Sequence, residues 1–386
     1  MFVHRLSNEL AAKGHSVDVI HCIDSYRLLA HKAPEKTCES HPNVVVHGLK
    51  SPFGFLSPLA TQLTGFPFFK RARIRKILKK DFDVIHYHNI SLVGGPKILE
   101  YGSAIKLYTI HDYWLICPSH TMFRFNRETC FRPKCFRCIL TYKRPPQSWR
   151  YFGLFNGAFK HVDAFIAPSR SCKNIHHRMG IDLPIIHLPN FVVSANSNVT
   201  NPDESIGNLS DGPFFLFVGR LEKLKGLQTL ISVFRCYPKA NLLIAGAGDY
   251  ELFLRQAAKG MDNIRFLGHL SERQLRTLYR QTTALLVPSL CMEIFPLVIL
   301  EAFREKTPAI VRNLGGMSEI IKESGGGFIY DKDVELMAVM DRLMDDPLFR
   351  NELGLRGYRA YEQKWTEKAH LNQYLKLINE IRMTRK

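Results

Sequence analysis

The stretch Phe214-Phe215-Leu216-Phe217-Val218-Gly219-Arg220-Leu221-Glu222-Lys223-Leu224-Lys225-Gly226 decides the fold. Its five leading apolar residues have the length of a strand, and with no alternation they describe one covered on both faces, as in parallel sheets. The run ends at Gly219, and a helical pattern starts after Gly226. A strand that opens into a glycine and two cations, Arg220 and Lys225, at the mouth of a helix is in outline a diphosphate site. Backbone N–H groups and cationic side chains there can hold anionic oxygens. A solvated basic turn would have the same spelling, so the neighbouring segments must decide.

Toward the carboxyl end, strands are predicted at Ala240–Ala245, Ile264–Leu267, Ala284–Val287 and Ala309–Val311, with helical segments between them. Such alternation predicts a doubly wound α/β sheet, whose ligands sit beyond the carboxyl ends of the strands. Two more strand ends carry glycines there: Gly246-Ala247-Gly248-Asp249, and Gly315-Gly316-Met317-Ser318-Glu319. Between them lie Glu293 and Glu301, bracketing an apolar helix start. Glu293 is expected in the loop facing the cleft and Glu301 two turns on, near its nucleotide side. Read alone, they would be a dipole-favoured charge at a helix N-terminus and a surface helix residue.

Toward the amino end, 191–212 is rich in Asn and Ser and lacks apolar periodicity, so it reads as a solvated interdomain connector. Before it, strands are predicted at Val17–Cys22, Val44–Gly48, Val84–Tyr87, Ile105–Ile110, Ala164–Ala167 and Ile185–Leu188. The chain thus divides into a doubly wound domain over 1–190, a second over 213–365, and a closing helix over 366–386. Its 386 residues and 46% hydrophobic content suffice for two cores.

On these motifs the chain resembles the family-four retaining glycosyltransferases of the GT-B fold, two Rossmann-like domains facing across a cleft. Glu293 to Glu301 has that family's Glu, seven residues, Glu spacing. It is accompanied by Gly219-Arg220…Lys225-Gly226, Gly315-Gly316-Met317-Ser318-Glu319, Asp83-Val84-Ile85-His86, His111-Asp112-Tyr113, Ala167-Pro168-Ser169 and Leu188-Pro189-Asn190. The resemblance implies a hexosyl transfer from a UDP- or GDP-sugar to a glycan or lipid-linked acceptor. Arg220 and Lys225, beside Gly219, would bind the donor diphosphate, Glu301 the ribose, and Glu293 the transferred sugar, while His111 would face the reacting carbon. Pro296 stands where many family members have Gly. Proline has no N–H, which leaves the amides of Phe295 and Leu297 to serve the donor.

The formal charge of +18 points to anionic partners. A basic nucleic-acid-binding protein would share it, but leaves the paired glutamates and glycine loops unexplained; no nucleic-acid partner is expected. Residues 1–20 lack an apolar signal core, so a cytoplasmic address with reduced cysteines is expected. Phe68 to Lys80 has a basic face, with Phe68 and Phe69 near the cations and a stripe of Ile74, Ile77 and Leu78. This pattern suits a peripheral contact with an anionic membrane.

Cys117, Cys130, Cys135 and Cys138 cluster in sequence, and Cys135-x-x-Cys138 has the spacing of a zinc knuckle. A closed structural zinc site and reduced, metal-free cysteines are both open readings. No catalytic cofactor or metal is expected. Asp81-Phe82-Asp83 has the Asp-x-Asp spelling but precedes its strand, at the end away from ligands.

The chain opens on a helical stripe of Phe2, Val3, Leu6 and Leu10, stopped by Gly14, before Val17–Cys22, which reads as a buried strand. In the family resembled, a strand and glycine-rich loop precede such a helix. The expectation is therefore a longer gene product, or a first domain with a gap at the centre of its sheet and impaired or absent activity.

Overall fold

The computed structural model describes residues 2–30, 40–194 and 212–385. Its strands are β1 (Val17–Cys22), β2 (Val44–Leu49), β3 (Val84–Tyr87), β4 (Ile105–Thr109), β5 (Phe123–Arg124), β6 (Glu128–Thr129) and β7 (Ala164–Ala167). They continue as β8 (Ile185–His187), β9 (Phe214–Val218), β10 (Asn241–Ala245), β11 (Ile264–Gly268), β12 (Ala284–Val287), β13 (Ala309–Arg312) and β14 (Gly327–Tyr330).

β9 has four of its five residues buried, as its unbroken apolar run requires. It lies inside a six-stranded sheet of order β11-β10-β9-β12-β13-β14, every pair parallel. The chain winds one way from β9 to β11 and the other from β12 to β14. The crevice between the ends of β9 and β12 is therefore the topological switch point. The edge strand β14 has three half-buried residues followed by buried Tyr330, and the sequence reading missed it behind the glycine run 325–327.

The first half holds a four-stranded parallel sheet, β3-β4-β7-β8, and a separate parallel pair, β1-β2. The sheet is divided between β1 and β3. Among the described residues β1 pairs only with β2, and five of its six residues are half-buried. The fully buried strand expected there is thus corrected: a strand paired along one edge only is not enclosed. On β2, Val45 and Val46 are about half exposed.

The closing helix, Glu367–Thr384, crosses back onto the first domain. Its Tyr374, Leu377 and Ile378 pack on Ile105, Leu107, Ala164 and Ile166. A second correction concerns the connector, which begins packed rather than solvated. Phe191 and Val192 are fully buried, and the Val192 amide donates to the Trp365 carbonyl at 3.1 Å. Residues 195–211 of that connector lie outside the described residues.

A third correction concerns the basic segment: Phe68–Lys70 is a tight 3₁₀ turn, and only Arg71–Ile77 is α-helical. Lys70 points inward, donating to the Leu92 carbonyl at 2.8 Å, while Ile74 is fully buried.

Candidate active site at the switch point

The glycines at the strand ends lock loops together. A Cβ on Gly246 would stand 1.9 Å from the Gly219 carbonyl oxygen, one on Gly226 2.1 Å from that of Pro288, and one on Gly316 2.1 Å from that of Ile294. Contacts that close exclude any side chain, so the loops after β9, β10, β12 and β13 pack backbone on backbone. The Gly316 amide also donates to the Glu293 carbonyl at 2.7 Å. This fixes the loop that presents Glu293.

The Glu293 carboxylate accepts from Lys225 Nζ at 2.6 Å and from Ser289 Oγ at 2.8 Å through the same Oε1. Burial would raise its pKa, but Lys225, the Ser289 hydroxyl and Arg220 outweigh burial and hold it below the ordinary value. Lys225 likewise overcomes desolvation and is held above its ordinary value, chiefly by Glu293. The pair is therefore a partly buried lysinium–carboxylate at the mouth of β9. Arg220 is exposed and bridges to Glu222 at 2.7 Å. Pro296 precedes helix Leu297–Arg304, whose first-turn N–H groups have no partner within the helix. Phe295 and Leu297 flank that proline, both half-buried.

Glu301 lies one turn along this helix. Tyr279 Oη donates to its Oε2 at 3.3 Å, and Arg5 Nη1 stands 4.0 Å from Oε1. Burial raises its pKa despite Arg5 and Arg304. Arg5 belongs to the opening helix, Phe2–Ala12, of the other domain, and its buried Nη1 has no hydrogen-bond partner among the described residues.

The same helix meets His111, whose ring centroid is 5.1 Å from that of Phe2. His111 Nε2 is 2.8 Å from His88 Nδ1, and the stack continues through His86 to Tyr374 of the closing helix. Burial depresses the pKa of His111 to about 4 and of His86 to about 3, and His88 is also held well below its ordinary value. His111 is thus a neutral imidazole at pH 7. The carboxylate of its neighbour Asp112 accepts from Asn89 at 2.9 Å and from the Trp114 amide at 2.9 Å.

The domains are stitched together beside this cleft. Ser169 Oγ donates to the Ile294 carbonyl at 2.6 Å, and Glu319 accepts from the Arg170 and Ser171 amides at 2.7 Å each. A carboxylate of the second domain thereby caps helix Arg170–Arg178 of the first domain. Sequence reading had placed Ser169 and Glu319 in motifs without roles. It missed Arg5, Ser289, Tyr279 and His88, whose parts depend on partners far away in sequence.

Asp83 of the Asp-x-Asp element accepts from Arg382 at 2.8 Å, at the amino end of β3. Among the described residues no three His, Cys, Asp or Glu side chains already converge as a metal requires, although the four clustered cysteines line one cavity.

Residues 1–195 match the family described as Glycosyltransferase Family 4, and residues 200–360 that described as Glycosyl transferases group 1. The chain belongs to Glycosyltransferase Family 4, and its fold is GT-B. Among solved structures it superposes on sucrose-phosphate synthase from Thermosynechococcus elongatus with a TM-score of 0.74 at 19% identity, covering 99% of this chain and 93% of that one. An uncharacterized glycosyltransferase of Methanocaldococcus jannaschii is 37% identical over 157 residues, which spans 38% of this chain and 39% of that relative's length. The D-inositol 3-phosphate glycosyltransferase of an Arthrobacter species is 25% identical over 387 residues, 92% of this chain and 83% of the relative.

Proposed function

We propose that this protein is a retaining glycosyltransferase that moves a hexosyl unit from a nucleoside-diphosphate sugar to a glycan or lipid-linked acceptor without a bound metal. The observation that carries the reading is the partly buried Lys225–Glu293 pair at the switch point, with exposed Arg220 beside it. Breaking the glycosyl–phosphate bond builds negative charge on the leaving diphosphate while the sugar becomes oxocarbenium-like. Lys225, Arg220 and the amides of Phe295 and Leu297 favour that leaving group. Fixed donors of this kind act more strongly on the transition state than on the ground state. Glu293, held ionised, orients the sugar hydroxyls, and Glu301 takes the ribose. Neutral His111 offers a hydrogen bond to the sugar or acceptor without placing a cation beside the developing oxocarbenium.

Lys225→Ala and Arg220→Ala are each expected to lower turnover ~100-fold or more, the scale of losing one preorganised charge stabiliser. Unchanged turnover in both would remove them from the site. Glu293→Ala should chiefly lower kcat, and Glu301→Ala should chiefly weaken nucleoside-diphosphate binding. Equal losses of affinity by calorimetry would refute this division. NMR of the fresh product should find the donor's anomeric configuration kept, and EDTA should leave the rate unchanged.

The acceptor side favours an anionic membrane surface. Phe53, Phe55, Phe68 and Phe69 are 45% to 61% exposed, next to exposed Arg71, Arg73, Lys76 and Lys79. Aromatic side chains interleaved with cations suit a lipid interface. Vesicles containing anionic lipid should retain the protein, neutral vesicles should not, and Phe68→Ser with Phe69→Ser should release it. Equal retention by both vesicle types would refute the reading.

A further inference from the structure

The sulfur cluster lies outside the transfer chemistry. Cys117 ends the loop after His111, Cys130 follows the β5–β6 hairpin, and Cys135 and Cys138 sit on the first turn of helix Cys135–Thr141. All four line one cavity of about 20 Å³, and Cys117, Cys130 and Cys138 are buried. That volume takes a single water-sized body. It suits one ion and is too small for an iron–sulfur cluster.

We propose that Cys117, Cys130, Cys135 and Cys138 bind one structural Zn²⁺ in a closed, four-sulfur site. Three further observations point the same way. The Phe125 amide donates to Cys138 Sγ at 3.3 Å, the kind of N–H to sulfur contact that favours a thiolate ligand. Arg124 and Lys134 line the cavity and offset the negative charge of four thiolates around a divalent ion. His120, Met122, Phe125 and Asn126 all adopt left-handed backbone angles, four of the six non-glycine residues with positive φ among the described residues. Such backbone is unfavourable for residues with a Cβ and persists where surrounding structure over-determines it. A four-point tether would do so here. Because no three of these side chains yet converge at ligand distance, binding requires the thiols to turn inward on the cavity they share.

The hairpin also touches the transfer site. Thr129 Oγ1 donates to the Leu290 carbonyl at 2.7 Å, in the loop that leads to Glu293. A bound zinc would anchor one wall of that loop from the other domain.

The test uses the full chain purified without added metal. Elemental analysis should find about one zinc per chain, and X-ray absorption should give sulfur neighbours at about 2.3 Å. A mercurial titration should release that zinc as four thiols react. Cys135→Ser with Cys138→Ser should lose the metal, whereas Cys236→Ser, at an exposed position outside the cavity, should keep it. If the double variant fails to fold, the wild-type measurements still decide. Three outcomes would overturn the proposal: substoichiometric zinc with four freely alkylated thiols, disulfides among these cysteines by mass spectrometry, or iron with labile sulfide in place of zinc.

Discussion

The two halves share one strand pattern but complete it differently. In the donor half β9 is paired on both edges within a continuous six-stranded sheet. In the first half β1 and β3 are each paired on one edge only, and the sheet falls into a pair and a four. The apolar residues of β1 are much like those of a buried strand, yet Val17, Val19 and Ile20 are only partly buried. Burial of a parallel strand therefore depends on its neighbours as much as on its own composition. The halves also differ in polar content. The first holds a partly buried stack of neutral histidines, whereas the second holds a partly buried charged pair among interlocked glycine loops.

The largest effect that would sharpen this contrast is on the loops. Gly226→Ala combines a left-handed φ of 76° with a Cβ 2.1 Å from a carbonyl oxygen. It should lower stability by ~3 kcal/mol or more, since overpacking and left-handed backbone add. Gly14→Ala in the first half has φ 91° but open space around it, so the backbone cost of ~1 kcal/mol acts alone. Urea denaturation of both variants would measure the difference, and equal losses would show that the loop approach is not tight.

Acid should separate the halves next. Burial depresses the pKa of His111 and His370 to about 4 and of His86 to about 3, against about 6.5 in an unfolded chain. Below that unfolded value the unfolded chain binds more protons than the folded one, so stability falls as pH drops from about 6.5 toward 4. The penalty is absent above pH 7. Trp114 and Trp149 report on the first half and Trp365 on the donor half, so single-Trp variants melted at pH 7 and pH 5 would locate the loss. A shift confined to Trp365 would contradict the assignment.

The smallest effect is in the native state. Amides of β1 and β2 should exchange with solvent faster than those of β9 and β10, because a two-stranded pair opens locally at lower free energy than strands inside a continuous sheet. Equal protection would mean that something other than strand pairing holds β1.

The donor-half reading was largely legible because its strands are covered on both faces, and such strands appear as unbroken apolar runs: β9 and β12 fall on the residues expected. Where periodicity carries no partner information, the reading fell short. β14 is a four-residue edge strand that opens on a glycine and was missed, the basic segment was read without foreseeing Lys70 turned inward, and the connector's first residues were read as solvated although Phe191 is fully buried.

The sequence alone determined the alternating strands, the glycines at their carboxyl ends, and the eight-residue spacing of Glu293 and Glu301 about one helix start. These are local patterns, fixed by φ/ψ preference and side-chain period. Only the tertiary structure decided that Lys225 pairs with Glu293 across 68 residues, that Ser169 meets Ile294 across 125, and that the closing helix belongs to the first domain's core. It also decided that four cysteines share one cavity and that β1 is left half-exposed. Contacts between distant segments arise from how whole elements pack, and no window of sequence short enough to show a period contains both partners.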